Sequence, residues 1–108
     1  MSRPAVLAPA ARQDLHQALR PIARDHPEAA RRLRAALETA LRRLATNPAI
    51  GAQRPALAAA RYRFLALRGF PYVLVYTADT EPPRVLRVLH MARDIAGLLA
   101  GLLAGPDA

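Results

Sequence analysis

The sequence contains no cysteine. That excludes disulfides, thiolate nucleophiles and zinc–thiolate sites, and it fits a reducing compartment. It contains no lysine either: all 16 Lys/Arg positions are arginine. Arginine stays protonated at any working pH, so it binds anions but serves neither as a general base nor as a Schiff-base amine. Tryptophan is absent, and the five aromatic residues all fall between Tyr62 and Tyr76. The longest apolar tract, Ile95 to Gly105, is about half of the ~20 residues a membrane span needs. The opening stretch, MSRPAVLAPAARQDL, lacks the apolar core of a secretory leader. A cytoplasmic protein without membrane association is expected.

A length of 108 residues fits one domain, expected to span residues 1–108. Apolar residues make up 53% of the chain, enough for a packed core. The net charge is +8, which favours an acidic partner. Residues 1–54 hold ten arginines against four acids, and residues 55–108 hold six against four, so the first half is the more basic.

Periodicity divides the chain. "AVLA" (Ala5 to Ala8) reads as a short strand. From Ala10 to His26 the apolar positions Ala11, Leu15, Leu19 and Ile22 lie on one helical face. Asp14 is placed in the first turn, where it suits the helix dipole. Pro21 predicts a kink or an early end. "DHPEAARRLRAALETALRRLATNP" predicts a second helix, begun by Pro27 and stopped by Asn47–Pro48, with Ala30, Leu33, Leu37, Leu41 and Leu44 inward. Glu28–Arg32 and Glu38–Arg42 are spaced as i,i+4 ion pairs.

"AIGAQRPALAAA" reads as a loop. Three alternating segments follow: "RYRFLAL" (61–67), "FPYVLVYT" (70–77) and "RVLRVLH" (84–90). "RG" at 68–69 and "ADTEPP" supply the turns of an antiparallel meander. In the last strand, simple alternation puts Val85, Arg87 and Leu89 on one face and Leu86 and Val88 on the other. "DIAGLLAGLLAG" reads as a closing helix with Gly97, Gly101 and Gly105 in one small-residue stripe. The pattern is α+β: a short N-terminal strand, a helical hairpin packed on a small antiparallel sheet of three to four strands, and a short C-terminal helix.

At the end of the last strand, His90, Arg93 and Asp94 arrive together. His90 has the titration range of an acid or base. A lone strand-end histidine reads better as a structural residue hydrogen-bonded to the backbone or to Asp94, and Asp94 as a helix cap. His16 and His26 read as helix-surface residues. Three dispersed histidines make no metal site, and no cofactor is expected.

In order along the chain, "LAPAARQDL", "HPEAARRLRAAL", "NPAIGAQRP", "FPYVLVY" and "VLRVLHMARD" resemble the ParE branch of the ParE/RelE superfamily of bacterial toxins. The resemblance runs over about residues 5 to 100. It implies a helical hairpin on a small antiparallel sheet. It also implies a toxin encoded beside a ParD-like antitoxin, a small DNA-binding dimer, typically ribbon-helix-helix, with a flexible tail that wraps the toxin. Contact with DNA would then be indirect, through that complex.

RelE-like members cut mRNA on the ribosome, whereas the ParE branch is linked to inhibition of DNA gyrase without a known catalytic site. The nucleases carry an Arg where this chain has Val73, and basic residues where it has Phe64 to Leu67. They also carry a Tyr or His near the C-terminus, absent here. Arg93 approximately matches a phosphate-binding arginine of the nucleases. A non-enzymatic gyrase-directed toxin is therefore expected, with Arg93, Arg87, Arg61 and Arg63 as target-binding residues. Arg31, Arg34, Arg42, Tyr72 and Tyr76 are expected to meet the antitoxin. The alternatives are a ribosome-dependent endonuclease using His90 and Arg93, and a degenerate, non-toxic binding partner or co-repressor.

Overall fold

The computed structural model describes residues 3–93 and 95–103, with side chains described through residue 100. The elements in chain order are β1 (Val6–Leu7), α1 (Pro9–Asp25), α2 (Pro27–Thr46), β2 (Ala52–Gln53), β3 (Tyr62–Ala66), β4 (Tyr72–Thr77), β5 (Arg84–His90) and α3 (Ile95–Leu103). Five strands form one sheet in the order β1-β5-β4-β3-β2. β3, β4 and β5 are the expected antiparallel meander. β1 adds to β5 in parallel, with Val6 opposite Arg84. β2 is a fifth strand that the loop reading of "AIGAQRPALAAA" lacked, with Ala52 opposite Phe64.

Both long helices start at prolines, where the missing N–H is no loss because first-turn donors lack intrahelical partners. His26 ends α1 and begins α2, so the hairpin turns on a single residue. Pro21 does not end α1, which continues to Asp25. It removes only the donor that Gln17 C=O would otherwise receive. Asp14 lies beyond the first turn of α1, so the dipole role does not apply. Glu28 pairs with Arg31, one turn away, rather than with Arg32. The inward face of α2 is Ala30, Leu33, Leu37, Ala40 and Leu44, with Leu41 only half-buried.

The sheet has apolar packing on both faces. The hairpin's Leu19, Leu33, Leu37 and Leu44 meet Leu74, Tyr76, Val85 and Val88 on one face. On the other, Tyr62, Phe64, Val73, Val75 and Leu89 meet Leu99 of α3, with Ile95 and Leu98 alongside. Gly97 is exposed, and the residues that pack on the sheet include Ile95, Leu98 and Leu99. Gly105 lies outside the described residues.

β5 contains a bulge. Tyr76 pairs with Val85 and Val75 with Arg87, which leaves Leu86 without an opposite residue. The extra residue exchanges the faces beyond it. Val85 and Val88 thus share the hairpin face, while Leu86 and Leu89 share the α3 face. This corrects the simple alternation, which put Val85 with Leu89.

Candidate functional site

β1 ends at Leu7, so the outer edge of β5 has no strand beside it beyond Val85. α1 takes its place. The Asp14 carboxylate accepts Arg87 Nε–H at 2.7 Å, Arg87 Nη2–H at 2.9 Å and the Val88 backbone N–H at 3.0 Å. One side chain therefore fills the position of a neighbouring strand and neutralises a strand arginine. These hydrogen bonds, with the carboxylate's charge, raise the Arg87 pKa above its ordinary value against the opposing effect of burial.

A cleft of about 260 Å³ opens past this tether, between α1 and the end of β5. Gln17, Ala18, Pro21 and Ile22 form its helical wall, and Tyr72, Val88, Leu89, His90 and Arg93 its strand wall, with Asp14 at the base. The His90 ring meets the Tyr72 ring edge-on, with centroids 5.2 Å apart and planes at 81°. His90 Nδ1 accepts the Ala92 N–H at 3.0 Å, and His90 C=O accepts the Arg93 N–H at 3.0 Å. A neutral His90 thus carries its proton on Nε2. These contacts bear out a backbone-bonded, strand-end histidine. Asp94, read as a helix cap, lies outside the described residues.

The expected target-binding arginines separate into two groups. Arg93 is exposed at the mouth of the cleft. Arg61 rests against Tyr62, with Cζ 5.0 Å from the ring centroid. Arg87 and Arg63 are occupied within the chain. Arg63 Nη1 donates to Gly51 C=O at 2.8 Å and, more weakly, to Ala49 C=O at 3.4 Å. Of the residues expected to meet an antitoxin, Arg31, Arg34 and Arg42 are exposed on α2, and Tyr72 is half-buried beside His90. Tyr76 must be corrected: it is 0% exposed and belongs to the core. Its hydroxyl donates to Pro48 C=O at 2.7 Å and accepts the Gly51 N–H at 2.8 Å. Burial raises its pKa above 10.0, opposed by the Gly51 hydrogen bond and the Arg63 charge.

The structure brings Tyr72, His90 and Arg93 together in one cleft with Asp14. The functional weight of Asp14 was missed in the sequence, although a signal existed. Asp14 lies three residues after Ala11 and one before Leu15, inside the inward stripe of α1. A charge on that face needs a partner.

A helical hairpin on one side of a five-stranded sheet and a short helix on the other, with an arginine at an open cleft, make a small α+β fold. The family model described as "ParE toxin of type II toxin-antitoxin system, parDE" matches residues 5–95, and the chain belongs to that family. It is a ParE-type toxin. A solved structure described as "Chromosomal ParDE TA system from P. aeruginosa" superposes with a TM-score of 0.66 at 21% identity, covering 83% of this chain and 95% of that one. No curated protein matches. Among the described residues, no helix is long and apolar enough to cross a membrane.

Proposed function

We propose that this toxin works in the cytoplasm by contact with DNA gyrase and performs no chemistry of its own. A cognate ParD-like antitoxin neutralises it by covering the basic outer face of α2, where Arg31, Arg34 and Arg42 stand exposed, and the Tyr72 side of the cleft. DNA is met indirectly, through that complex.

One observation carries this reading. Among the described residues, the Asp14 carboxylate is the only acid lining the cleft beside His90, and both its oxygens are engaged by Arg87 and Val88. RNA cleavage by 2′-OH attack needs both a base and an acid. Among the described residues His90 has no free carboxylate in the cleft to divide that work with, while Arg93 is left to bind an acidic or anionic surface.

The test is a gyrase supercoiling and DNA-cleavage assay with the purified chain, alongside primer extension on mRNA from expressing cells. The expected result is gyrase inhibition or trapped cleavage, with intact mRNA. Ribosome-dependent mRNA cuts that vanish in His90→Ala would overturn the reading in favour of an endonuclease. Untouched gyrase and unaffected growth would leave a non-toxic binding protein.

A further inference from the structure

The end of β5 away from Arg93 carries a second arginine-lined recess. Tyr62 of β3 pairs with Thr77 of β4, and Thr77 pairs with Arg84 of β5. The three residues therefore stand abreast on one face of the sheet. That face is the one Tyr62 and Leu86 share with α3, away from the hairpin. Arg61, Asp79 and Thr80 complete a recess of about 380 Å³ around them. At ~3.3 Å per residue, Arg84 lies about 20 Å along β5 from the Arg93 cleft.

Among the described residues, neither arginine of the recess has an ion-pair partner. The ion pairs among the described residues are Glu28–Arg31 and Asp14–Arg87. Arg61 Nη2 is closed to water and has no hydrogen-bond acceptor. A buried charged donor without an acceptor is costly and uncommon. Thr77 Oγ accepts the Asp79 N–H at 3.1 Å, which leaves its own hydrogen available to donate. Thr80 has already spent its hydroxyl on Pro82 C=O. The recess thus offers two guanidinium groups and one hydroxyl against a single carboxylate, that of Asp79.

The charges indicate which acceptor fits. Arg61 and Arg84 are positive and Asp79 is negative, so one positive charge remains. A single carboxylate balances it. A nucleic-acid backbone would bring a row of phosphates against Asp79 and meet repulsion. We propose that this recess receives one carboxylate, presented by an Asp or Glu side chain of a protein partner. Its oxygens accept from the forked guanidinium of Arg61, from Arg84 and from the Thr77 hydroxyl. Because Nη2 is shielded in the free chain, binding turns the Arg61 guanidinium toward the recess. The site does not depend on gyrase being the target.

The full chain, isotope-labelled at its arginine side chains, tests this by NMR at constant ionic strength. Four probes are titrated separately: acetyl-Gly-Glu-Gly-amide, its Gln counterpart, inorganic phosphate and a DNA duplex. The Glu peptide should move the Nε–Hε signals of Arg61 and Arg84 saturably, at an affinity on the order of 10 mM for so few contacts. The Gln peptide should bind about tenfold more weakly or not at all. Arg42, on the exposed helix face, should not respond. Arg84→Gln should weaken the Arg61 response while leaving the thermal melt unchanged. Equal responses to the Glu and Gln peptides would overturn the proposal, as would Arg61 and Arg84 signals that move no more than that of Arg42. So would phosphate or DNA moving the same two signals at lower concentration than the Glu peptide.

Discussion

Asp14 of α1 holds Arg87 of β5 through both carboxylate oxygens, at 2.7 and 2.9 Å, across 73 positions of sequence. The contact lies where β1 stops, and the same carboxylate satisfies the Val88 N–H that a neighbouring strand would otherwise take. The Asp14 side chain is 13% exposed and that of Arg87 26%, so water gives little help if either partner is lost. Asp14→Ala strands a half-buried guanidinium and an edge N–H together. A loss of roughly 2–3 kcal/mol is expected in urea unfolding. Arg87→Lys keeps the charge but not the planar fork, and should fall between the mutant and the wild type.

A second tether should prove as costly to break. The Tyr76 hydroxyl joins Pro48 and Gly51 from inside the core. A Cβ built on Gly51 would stand 2.6 Å from Tyr76 Cε1 and 2.7 Å from its hydroxyl oxygen. Neither atom has room to retreat, because Tyr76 is fully buried. Gly51→Ala is expected to destabilise by about 1–3 kcal/mol through overpacking. Tyr76→Phe leaves the Gly51 N–H and Pro48 C=O without their partner, and roughly 1–3 kcal/mol is expected there too. Chemical denaturation of the two single variants and the double variant checks both. A double variant no worse than Gly51→Ala alone would show that the substitutions break one shared contact.

The secondary structure was legible because its signals are local. The inward leucines of α2 recur at helical spacing, and the strand patterns of 61–67, 70–77 and 84–90 lie within two residues of β3, β4 and β5 at each end. What escaped depends on pairing over long distances. Ala52–Gln53 is too short to show alternation and becomes a strand only opposite Arg63 and Phe64. The Leu86 bulge exists only in relation to Val75 and Tyr76, and it misdirected the face assignments of β5. Arg87 and Arg63 look like free cations in sequence. Only the fold shows that Asp14 and the Gly51 carbonyl have taken them. Tyr76, expected to meet the antitoxin, is likewise taken up by the core. Tyr72, His90 and Arg93 are close enough in the meander for their proximity to be anticipated.

Alkaline pH offers an independent probe of the Tyr76 tether. Burial raises the folded-state pKa of the hydroxyl above 10.0, its ordinary value. The stabilisation from keeping it neutral is fully present below the unfolded value. It is lost as pH rises from about 10 through the folded value. The unfolding free energy of the wild type should therefore fall above pH 10. Tyr76→Phe should start lower and lose less over the same interval. Denaturant midpoints measured from pH 8 to 11 distinguish the two slopes. Parallel slopes would show that Tyr76 ionisation does not contribute.

Toxicity should depend on Arg93 more than on any other exposed arginine. Its backbone is fixed by the hydrogen bond from its N–H to His90 C=O, while its side chain is exposed where the cleft opens. Among the four arginines expected to meet the target, Arg87 and Arg63 are already committed within the chain. Contact energy at an interface concentrates in a few anchors, and arginine is a favoured one. Removing one desolvated arginine contact costs on the order of 2–5 kcal/mol, chiefly because its partner is left buried and unpaired. Among the described residues Arg93→Ala breaks no side-chain hydrogen bond or ion pair, so the thermal melt should hold while growth arrest and gyrase-mediated DNA cleavage fall sharply. Arg42→Ala, on the outer face of α2, should leave both near wild type. Arg87→Ala is the informative third variant. It should lose stability first, and any lost toxicity should return when Asp14→Ala removes the stranded carboxylate, if Arg87 serves only to hold the fold. A folded Arg93→Ala protein with full toxicity would take this residue out of the contact surface.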